Sequence, residues 1–223
     1  MTRIPQNLRA VLFDADGVII RSLESHCIAW TRIFAELGVE LDDLEIRLRE
    51  GESAESTFKT LAMLNGLQFT DTEVSRWVER KRSYYRSLAV EIYPEVRPLL
   101  VQIHQAELAV GLVTGSSIVN LQHVLGAAEL AMFDVIFTAE DYTHGKPSAE
   151  PYSRAVAALE VEPAEAVVIE NAPLGIESAR AAGIHCIALA TTLPAERLQL
   201  ADQVLANHAE LSSFLKTWIG GGV

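Results

Sequence analysis

Short apolar runs recur along the chain, and each of them ends in a polar or small residue. The runs are AVLFD from Ala10, LAVGLVTG from Leu108, DVIFT from Asp134, AVVIEN from Ala166 and HCIALA from His185. Longer segments with the spacing of amphipathic helices, such as PYSRAVAALEV and PLGIESARAAG, lie between most of them. Alternation of buried strands with helices predicts a doubly wound parallel sheet with helices on both faces. The predicted fold class is therefore α/β.

The interval from 22 to 91 departs from this rhythm, because it holds several amphipathic helical patterns and no convincing strand. Helices are predicted at about 24–37 and 53–64, and a third opens at Thr70 with capping-box spacing. The simplest arrangement is an all-helical cap inserted after the first strand of an α/β core. The predicted core comprises 1–20 and 92–223, and the predicted cap comprises 21–91.

Composition and charge narrow the classes of function. Of the 223 residues, 49% are hydrophobic and 22% charged, which is typical of a globular protein. A net charge of −12 argues against nucleic-acid binding but leaves room for a small anionic substrate at a locally positive site. No run approaches the ~18 apolar residues of a membrane helix, and the N-terminus lacks the apolar core of a signal peptide. We predict a cytoplasmic protein of undetermined oligomeric state, with Cys27 and Cys186 as buried free thiols.

Asp14 and Asp16 directly follow the first apolar run, in the stretch FDADGV. Alternate residues of an extended segment share a face, and two carboxylates so close repel unless a cation or a raised pKa relieves them. The carboxyl ends of parallel strands are also where open α/β sheets bind ligands. A plain turn is the alternative, since Asp and Gly favour turns.

Three further strand ends carry polar residues. The stretch from Thr114 to Ser117 precedes a helix and offers hydroxyls and amides to an anion, or a serine as helix N-cap. Lys146 lies in the loop HGKP, where Gly and Pro fix the backbone on either side; a solvated lysine is the alternative. Glu170 and Asn171 end the AVVIE run, where Asn171 is alternatively an N-cap. Their order predicts one crevice that collects all of them.

This arrangement resembles the haloacid dehalogenase (HAD) superfamily, in its first subfamily with a helical cap. FDADGV is similar to the first motif of that superfamily, VTGSS to the second, GKP to the third and IENAPLGIESARAAG to the fourth. The resemblance covers almost the whole chain, including the cap position, and extends to phosphoglycolate phosphatase-like and β-phosphoglucomutase-like members. It implies a Rossmann-like core and an enzyme of phosphate chemistry.

The resemblance also implies roles for single residues. Asp14 is expected to attack phosphorus and become an aspartyl phosphate. Asp16 is expected to protonate the leaving oxygen and then deprotonate water, which calls for a raised pKa. The residues implied to bind the substrate phosphate are Thr114, Gly115, Ser116 and Lys146. Thr114 and Lys146 thus join the two aspartates as catalytic residues, with Lys146 also holding Asp14 in place.

A magnesium ion is the cofactor that the resemblance implies. Its expected ligands are Asp14, the backbone carbonyl of Asp16, Glu170 and Asn171, which are oxygen donors of the kind that Mg²⁺ prefers. The superfamily commonly has a second acid where this chain has Asn171. An asparagine offers an amide oxygen but no charge.

The implied function is a Mg²⁺-dependent phosphatase for a small phosphorylated metabolite, such as a sugar phosphate or a phosphoglycolate-like compound. Dehalogenase members lack an acid at the position of Asp16, so this residue favours phosphate chemistry. A non-catalytic binding protein on the same fold would be expected to have lost Asp14, Asp16 or Lys146, and all three are present.

A β-phosphoglucomutase-type phosphosugar mutase is the alternative. His26 matches a histidine of the mutases and is a candidate substrate-binding residue, or else it packs at the hinge of the cap. The loop GESAEST, residues 51 to 57, lacks the arginine of the mutases. Lys81, Arg82 and Arg86 either reach a substrate anion or form a solvated helix face.

Overall fold

The computed structural model describes residues 5 and 7–220, and all of the following elements belong to this part of the chain. The strands are β1 (Ala10–Phe13), β2 (Ile20–Arg21), β3 (Glu91–Ile92), β4 (Ala109–Val113), β5 (Val135–Phe137), β6 (Ala166–Glu170), β7 (His185–Leu189) and β8 (Gln203–Leu205). The helices are α1 (Leu23–Glu36), α2 (Asp43–Arg47), α3 (Ala54–Leu64), α4 (Asp71–Arg86), α5 (Val96–Gln105), α6 (Ile118–Val124), α7 (Ala127–Leu130), α8 (Glu150–Ala158), α9 (Pro173–Ala181) and α10 (His208–Gly220).

Strand β1 lies in the middle of a parallel sheet with the order β5-β4-β1-β6-β7-β8. Its four residues are fully buried, because helices cover both faces of the sheet. Val11 and Phe13 pack into the cluster formed with α5, α6 and α10, whereas Ala10 and Leu12 pack into the cluster formed with α8 and α9. This alternation follows from the two-residue period of a strand. The predicted doubly wound α/β fold is confirmed.

Helices α1 to α4 form the helical cap, which has an aromatic and aliphatic cluster of its own that includes Trp30, Phe34 and Phe58. The three predicted helices correspond to α1, α3 and α4, and the capping box at Thr70 is present. The short helix α2 is an addition to the prediction.

The chain passes between core and cap through a two-stranded antiparallel ribbon in which Ile20 pairs with Ile92 and Arg21 with Glu91. Residues 22–91 were expected to contain no strand, so the placement of Glu91 in β3 corrects that expectation. Strand β8 at the sheet edge is likewise not among the predicted strands. The predicted boundaries of core and cap stay a prediction.

Two predictions about single properties can be compared with the fold. Cys27 and Cys186 are both buried and free, as predicted. Among the helices of the described residues, none is both long enough and apolar enough to cross a membrane.

Candidate active site

The carboxyl ends of three neighbouring strands meet at one edge of the sheet. Asp14 follows β1, Thr114 follows β4, and Glu170 ends β6. Lys146 reaches the same point from the loop between β5 and α8. Its Nζ donates hydrogen bonds to Asp14 Oδ1 (2.5 Å), to Glu170 Oε1 (2.7 Å) and to the carbonyl oxygen of Val113 (3.3 Å). Because Lys146 is 3% exposed, the alternative of a solvated loop lysine is wrong.

The buried ammonium group of Lys146 forms ion pairs with two buried carboxylates, those of Asp14 and Glu170. Burial raises the pKa of Asp14 to about 8, and the charge of Glu170 adds to this effect, while the ion pair with Lys146 opposes it. Burial lowers the pKa of Lys146, but the two carboxylates outweigh burial and hold that pKa well above its usual range. The role predicted for Asp14 is attack by an ionised carboxylate, and this role would need more positive charge near Asp14 than Lys146 alone supplies.

Both carboxylate oxygens of the buried Glu170 accept hydrogen bonds. Oε1 accepts from Lys146 and from the hydroxyl of Tyr152 (3.0 Å). Oε2 accepts from the backbone amides of Asn171 (2.8 Å) and Ala172 (3.1 Å). Ala172 is the N-cap residue of α9, so the carboxylate of Glu170 occupies this helix N-terminus. The alternative that Asn171 caps the helix is wrong.

Gly175 in the first turn of α9 leaves the space that this carboxylate occupies, since a Cβ there would lie 1.6 Å from Glu170 Oε1. We expect Gly175→Ala to lower the free energy of unfolding by about 2–4 kcal/mol, because Glu170 would lose its hydrogen bonds. Helix propensity alone would raise it by about 1 kcal/mol. Denaturant unfolding followed by circular dichroism measures the sign and size.

Gly126→Ala is the matched control, because a Cβ at Gly126 would meet the end of the flexible Glu129 side chain. Its free energy of unfolding should stay within about 0.5 kcal/mol of the parent value. A Gly175→Ala variant as stable as this control would contradict the packing of Glu170 against α9.

Asp16 accepts hydrogen bonds from side chains of both the core and the cap. Oδ1 accepts from Ser22 Oγ (2.5 Å) and lies 3.1 Å from His26 Nε2. Oδ2 accepts from Ser116 Oγ (2.8 Å). Burial acts to raise the pKa of Asp16, but His26 and the two serine hydroxyls outweigh it, so the pKa lies well below its ordinary value. The raised pKa predicted for Asp16 is wrong for this arrangement.

His26 contacts both the core and its own cap. Nε2 reaches Asp16, Nδ1 lies 2.5 Å from Lys81 Nζ, and the ring stacks on Tyr85 with centroids 4.3 Å apart. Burial and the charge of Lys81 lower the pKa of His26, while the charge of Asp16 opposes that shift. His26 thus links the carboxylate of Asp16 in the core to Lys81 in the cap.

Lys81 is 2% exposed, and burial lowers its pKa to about 7. The ammonium group lies 4.9 Å from the ring centroid of Trp30 and 5.3 Å from that of Tyr85. The alternative of a solvated helix face is therefore wrong for Lys81. For Arg86 the solvated helix face agrees with the structure, because Arg86 forms an ion pair with Glu79 along α4.

The VTGSS loop is held by hydrogen bonds of its own. The amide of Ser116 donates to Thr114 Oγ1 (3.0 Å), and the hydroxyl of Tyr142 donates to the carbonyl oxygen of Thr114 (2.8 Å). Ser117 accepts from the amide of Asn120 and is the N-cap of α6. The alternative of a serine cap thus applies to Ser117, whereas Gly115 and Ser116 line the cleft and Thr114 is fully buried beneath it.

The cap touches this loop at Gly115. A Cβ on Gly115 would lie 2.7 Å from the carbonyl oxygens of both Gly51 and Glu52, so glycine permits the contact. The cleft between cap and core has a volume of about 60 Å³, enough for a few water molecules. Its charged lining residues include Asp14, Asp16, Arg49, Glu50, Lys81 and Arg82. Entry of a metabolite therefore requires the cap to move away from the core.

Comparison with known proteins agrees with this geometry. The model of the family described as haloacid dehalogenase-like hydrolase matches residues 11–189. The chain belongs to this family. The HAD-like hydrolase is 35% identical over 205 residues to validoxylamine A 7'-phosphate phosphatase of Streptomyces hygroscopicus subsp. limoneus, with 91% of this chain and 95% of the relative covered. It is 30% identical to β-phosphoglucomutase of Bacillus subtilis (strain 168), with 92% of each covered.

A solved structure adds a likeness of fold. The crystal structure of β-phosphoglucomutase from Clostridium difficile matches the HAD-like hydrolase with a TM-score of 0.84 at 24% identity, covering 96% of this chain and 98% of the other. The predicted superfamily and the predicted enzyme class are confirmed by the family match and the phosphatase relative.

The predicted metal ligands of the HAD-like hydrolase lie at the ends of the neighbouring strands β1 and β6, but they differ in which of their oxygens are already hydrogen-bonded. Glu170 is engaged at both oxygens. The Asn171 amide nitrogen donates to Glu50 Oε2 (2.9 Å) and Thr192 Oγ1 (2.9 Å). The Asn171 amide oxygen is buried with no hydrogen-bond partner among the residues that the structure describes. An unpartnered buried amide oxygen is an acceptor of the kind that a divalent cation satisfies.

The described residues contain no group of three or more His, Cys, Asp or Glu side chains arranged for a metal ion. The binding of a divalent cation would therefore depend on Asp14, the amide oxygen of Asn171 and the backbone carbonyl of Asp16. Glu50, which lies between α2 and α3, is a polar residue near this point that the sequence did not reveal. Its one sequence cue is its place directly before the GESAEST loop. Burial, then the charges of the two aspartates, raises the pKa of Glu50 well above its ordinary range.

Proposed function

We propose that this HAD-like hydrolase is a Mg²⁺-dependent phosphatase that hydrolyses a small phosphorylated metabolite through an aspartyl phosphate on Asp14. The observation that carries the proposal is the buried ion pair of Asp14 with Lys146, at the end of the central strand and two residues before Asp16. A phosphatase relative at 35% identity supports it. The cytoplasm stays the predicted location.

In the first half of the reaction, a carboxylate oxygen of Asp14 forms a bond to phosphorus while the bond from phosphorus to the leaving oxygen breaks. Lys146 holds the attacking carboxylate in place and offsets phosphate charge. Asp16 takes up a proton before this half of the reaction, gives it to the leaving oxygen and is left as the carboxylate. His26 Nε2, 3.1 Å from Asp16 Oδ1, holds that carboxyl group in place.

In the second half, Asp16 removes a proton from water as the water oxygen bonds to phosphorus and the bond to Asp14 breaks. The hydrogen bonds from Ser22 and Ser116 stabilise the ionised form of Asp16, which is the form that this half requires. Gly115 and Ser116 line the same cleft directly after the buried Thr114, and their loop is suited to the oxygens of phosphate.

Asp14, the backbone carbonyl of Asp16 and the amide oxygen of Asn171 would hold Mg²⁺. Bound there, the ion would reduce the repulsion between the Asp14 carboxylate and the phosphate. Glu170 would act on the cation site indirectly, because its carboxylate holds Lys146 and the backbone of Asn171 in position.

A phosphosugar mutase is the second candidate, because His26 contacts Asp16 as well as Lys81. A mutase has to hold a bisphosphate while the second sugar hydroxyl replaces water as acceptor. Arg49 and Arg82 line the cleft, yet each is paired with a glutamate of the cap. Charge that is already compensated gives a weaker hold on a second phosphate, which favours the hydrolase.

The two candidates differ in their products. With Mg²⁺, β-glucose 1-phosphate and a trace of glucose 1,6-bisphosphate, we expect release of inorganic phosphate without accumulation of glucose 6-phosphate. Rapid isomerisation with little phosphate release would replace the phosphatase by the mutase. A panel of phosphorylated metabolites, assayed for phosphate release in parallel, identifies the substrate class.

A further inference from the structure

Glu50 is a cap carboxylate buried against the fourth motif of the core. It is 8% exposed and lies between α2 and α3, in the segment that enters the cleft. Its Oε2 accepts hydrogen bonds from the Asn171 amide nitrogen (2.9 Å) and from Thr192 Oγ1 (3.1 Å). These contacts join residues 121 and 142 positions apart in the chain, so they exist because the cap is docked on the core.

Two buried oxygens at this contact lack hydrogen-bond partners among the described residues, namely Glu50 Oε1 and Asn171 Oδ1. A buried acceptor without a donor is unfavourable, and a buried carboxylate oxygen more so. Asp14 and Asp16 line the same cleft as Glu50, so their charges add to the unfavourable energy. A bound divalent cation satisfies oxygen acceptors and offsets carboxylate charge at once.

We propose that Glu50 supplies, from the cap, the carboxyl group that the asparagine at position 171 does not provide, and that Glu50 and Asn171 act as one unit in binding the divalent cation. The Glu50 carboxylate fixes the amide of Asn171 through Oε2, so that the amide oxygen is left for the cation. The proposal rests on the cation of the proposed function and adds a residue of the cap to its site. Cation affinity then depends on the closed position of the cap.

The carboxyl group of Glu50 and the amide group of Asn171 can be exchanged between the two positions by mutation. Glu50→Gln replaces the carboxyl group at position 50 by an amide of nearly the same size and shape. The double variant Glu50→Gln/Asn171→Asp moves the carboxylate to position 171 and the amide to position 50, which preserves one donor facing one acceptor. If the two residues act as a unit, the exchange should restore what the single variant loses.

Binding is measured on the full chain, with the electron paramagnetic resonance signal of free Mn²⁺ and with Mg²⁺ in competition. We expect Glu50→Gln to weaken Mn²⁺ binding by about 10-fold or more, the range found for partners that position a metal ligand. The double variant should return to within about 3-fold of the parent. Glu40→Gln, which removes an exposed carboxylate of the cap, is the matched control and should bind as the parent does.

Unchanged Mn²⁺ affinity in Glu50→Gln would overturn the proposal, and an altered KM in that case would assign Glu50 to the substrate. Failure of the double variant to recover, with native circular dichroism, would also overturn it, since the pair would not be a unit. Phosphate release by the parent enzyme is measured separately. If the parent releases phosphate and Glu50→Gln binds Mn²⁺ as the parent does, the proposed phosphatase is retained and the role of Glu50 is rejected. If the parent releases no phosphate but Glu50→Gln binds Mn²⁺ more weakly, the role of Glu50 is retained and the phosphatase is rejected.

Discussion

Asp14→Asn is expected to reduce phosphate release by a factor on the order of 10⁴ or more while the protein stays folded. The amide is a poor nucleophile, and no other carboxylate in the described site has its place at the end of β1 beside Lys146. The fold should persist because Lys146 keeps its ion pair with Glu170 at 2.7 Å. Steady-state phosphate assays, with thermal unfolding in parallel, measure both properties.

Asp43→Asn is the matched control for this change, since Asp43 lies on the surface of the cap with 59% of its side chain exposed. Its activity should equal that of the parent. Substantial Mg²⁺-dependent turnover by Asp14→Asn would show that another group attacks phosphorus. Trapping of a phosphorylated parent enzyme by acid quench, absent from the variant, tests the covalent intermediate directly.

Lys146→Met is expected to damage both stability and activity. The variant leaves Asp14 and Glu170 buried without their shared cation, which lowers the free energy of unfolding by about 3–5 kcal/mol at neutral pH. Activity should fall by about 10²–10³-fold, because the charge facing the phosphate is lost. Denaturant unfolding and phosphate assays below the unfolding transition separate the two effects.

Lys59→Met serves as its control, because Lys59 forms an ion pair with Asp71 on the surface, where such pairs contribute about 1 kcal/mol or less. A Lys146→Met variant as stable as this control would mean that the two carboxylates are protonated in the folded protein. In that case the role of Lys146 as the partner of an ionised Asp14 would be wrong.

Much of the fold is predictable because the central strands are buried on both faces. β1, β4, β6 and β7 therefore appear in the sequence as continuous apolar runs. β8 has three residues at the sheet edge, and β2 and β3 have two each, so their patterns are too short to stand out. The helices of the cap were predictable from their amphipathic spacing and, in α4, from the capping box at Thr70.

The meeting of Asp14, Lys146 and Glu170 was also predictable, since strand ends of a parallel sheet converge. The contacts that cap residues make around this site were not predictable. Glu50 meets Asn171 across 121 positions because the cap is docked on the core, and Lys81 meets His26 across 55 positions because α1 and α4 pack together within the cap. Local propensity contains no information about such contacts. The lowered pKa of Asp16 follows from a third contact of this kind, the one between Asp16 of the core and His26 of the cap, and so could not be predicted from the motif.

The ribbon of β2 and β3 places the two ends of the helical insertion side by side, with Ile20 opposite Ile92. The closure entropy of an inserted segment grows only slowly with its length. We therefore expect that the segment between these two strands can be replaced by another helical segment with matching ends while the sheet stays intact. If Glu50 has the role proposed above, the new segment would also have to bring its own carboxyl group to Asn171, so that such an exchange changes cation affinity.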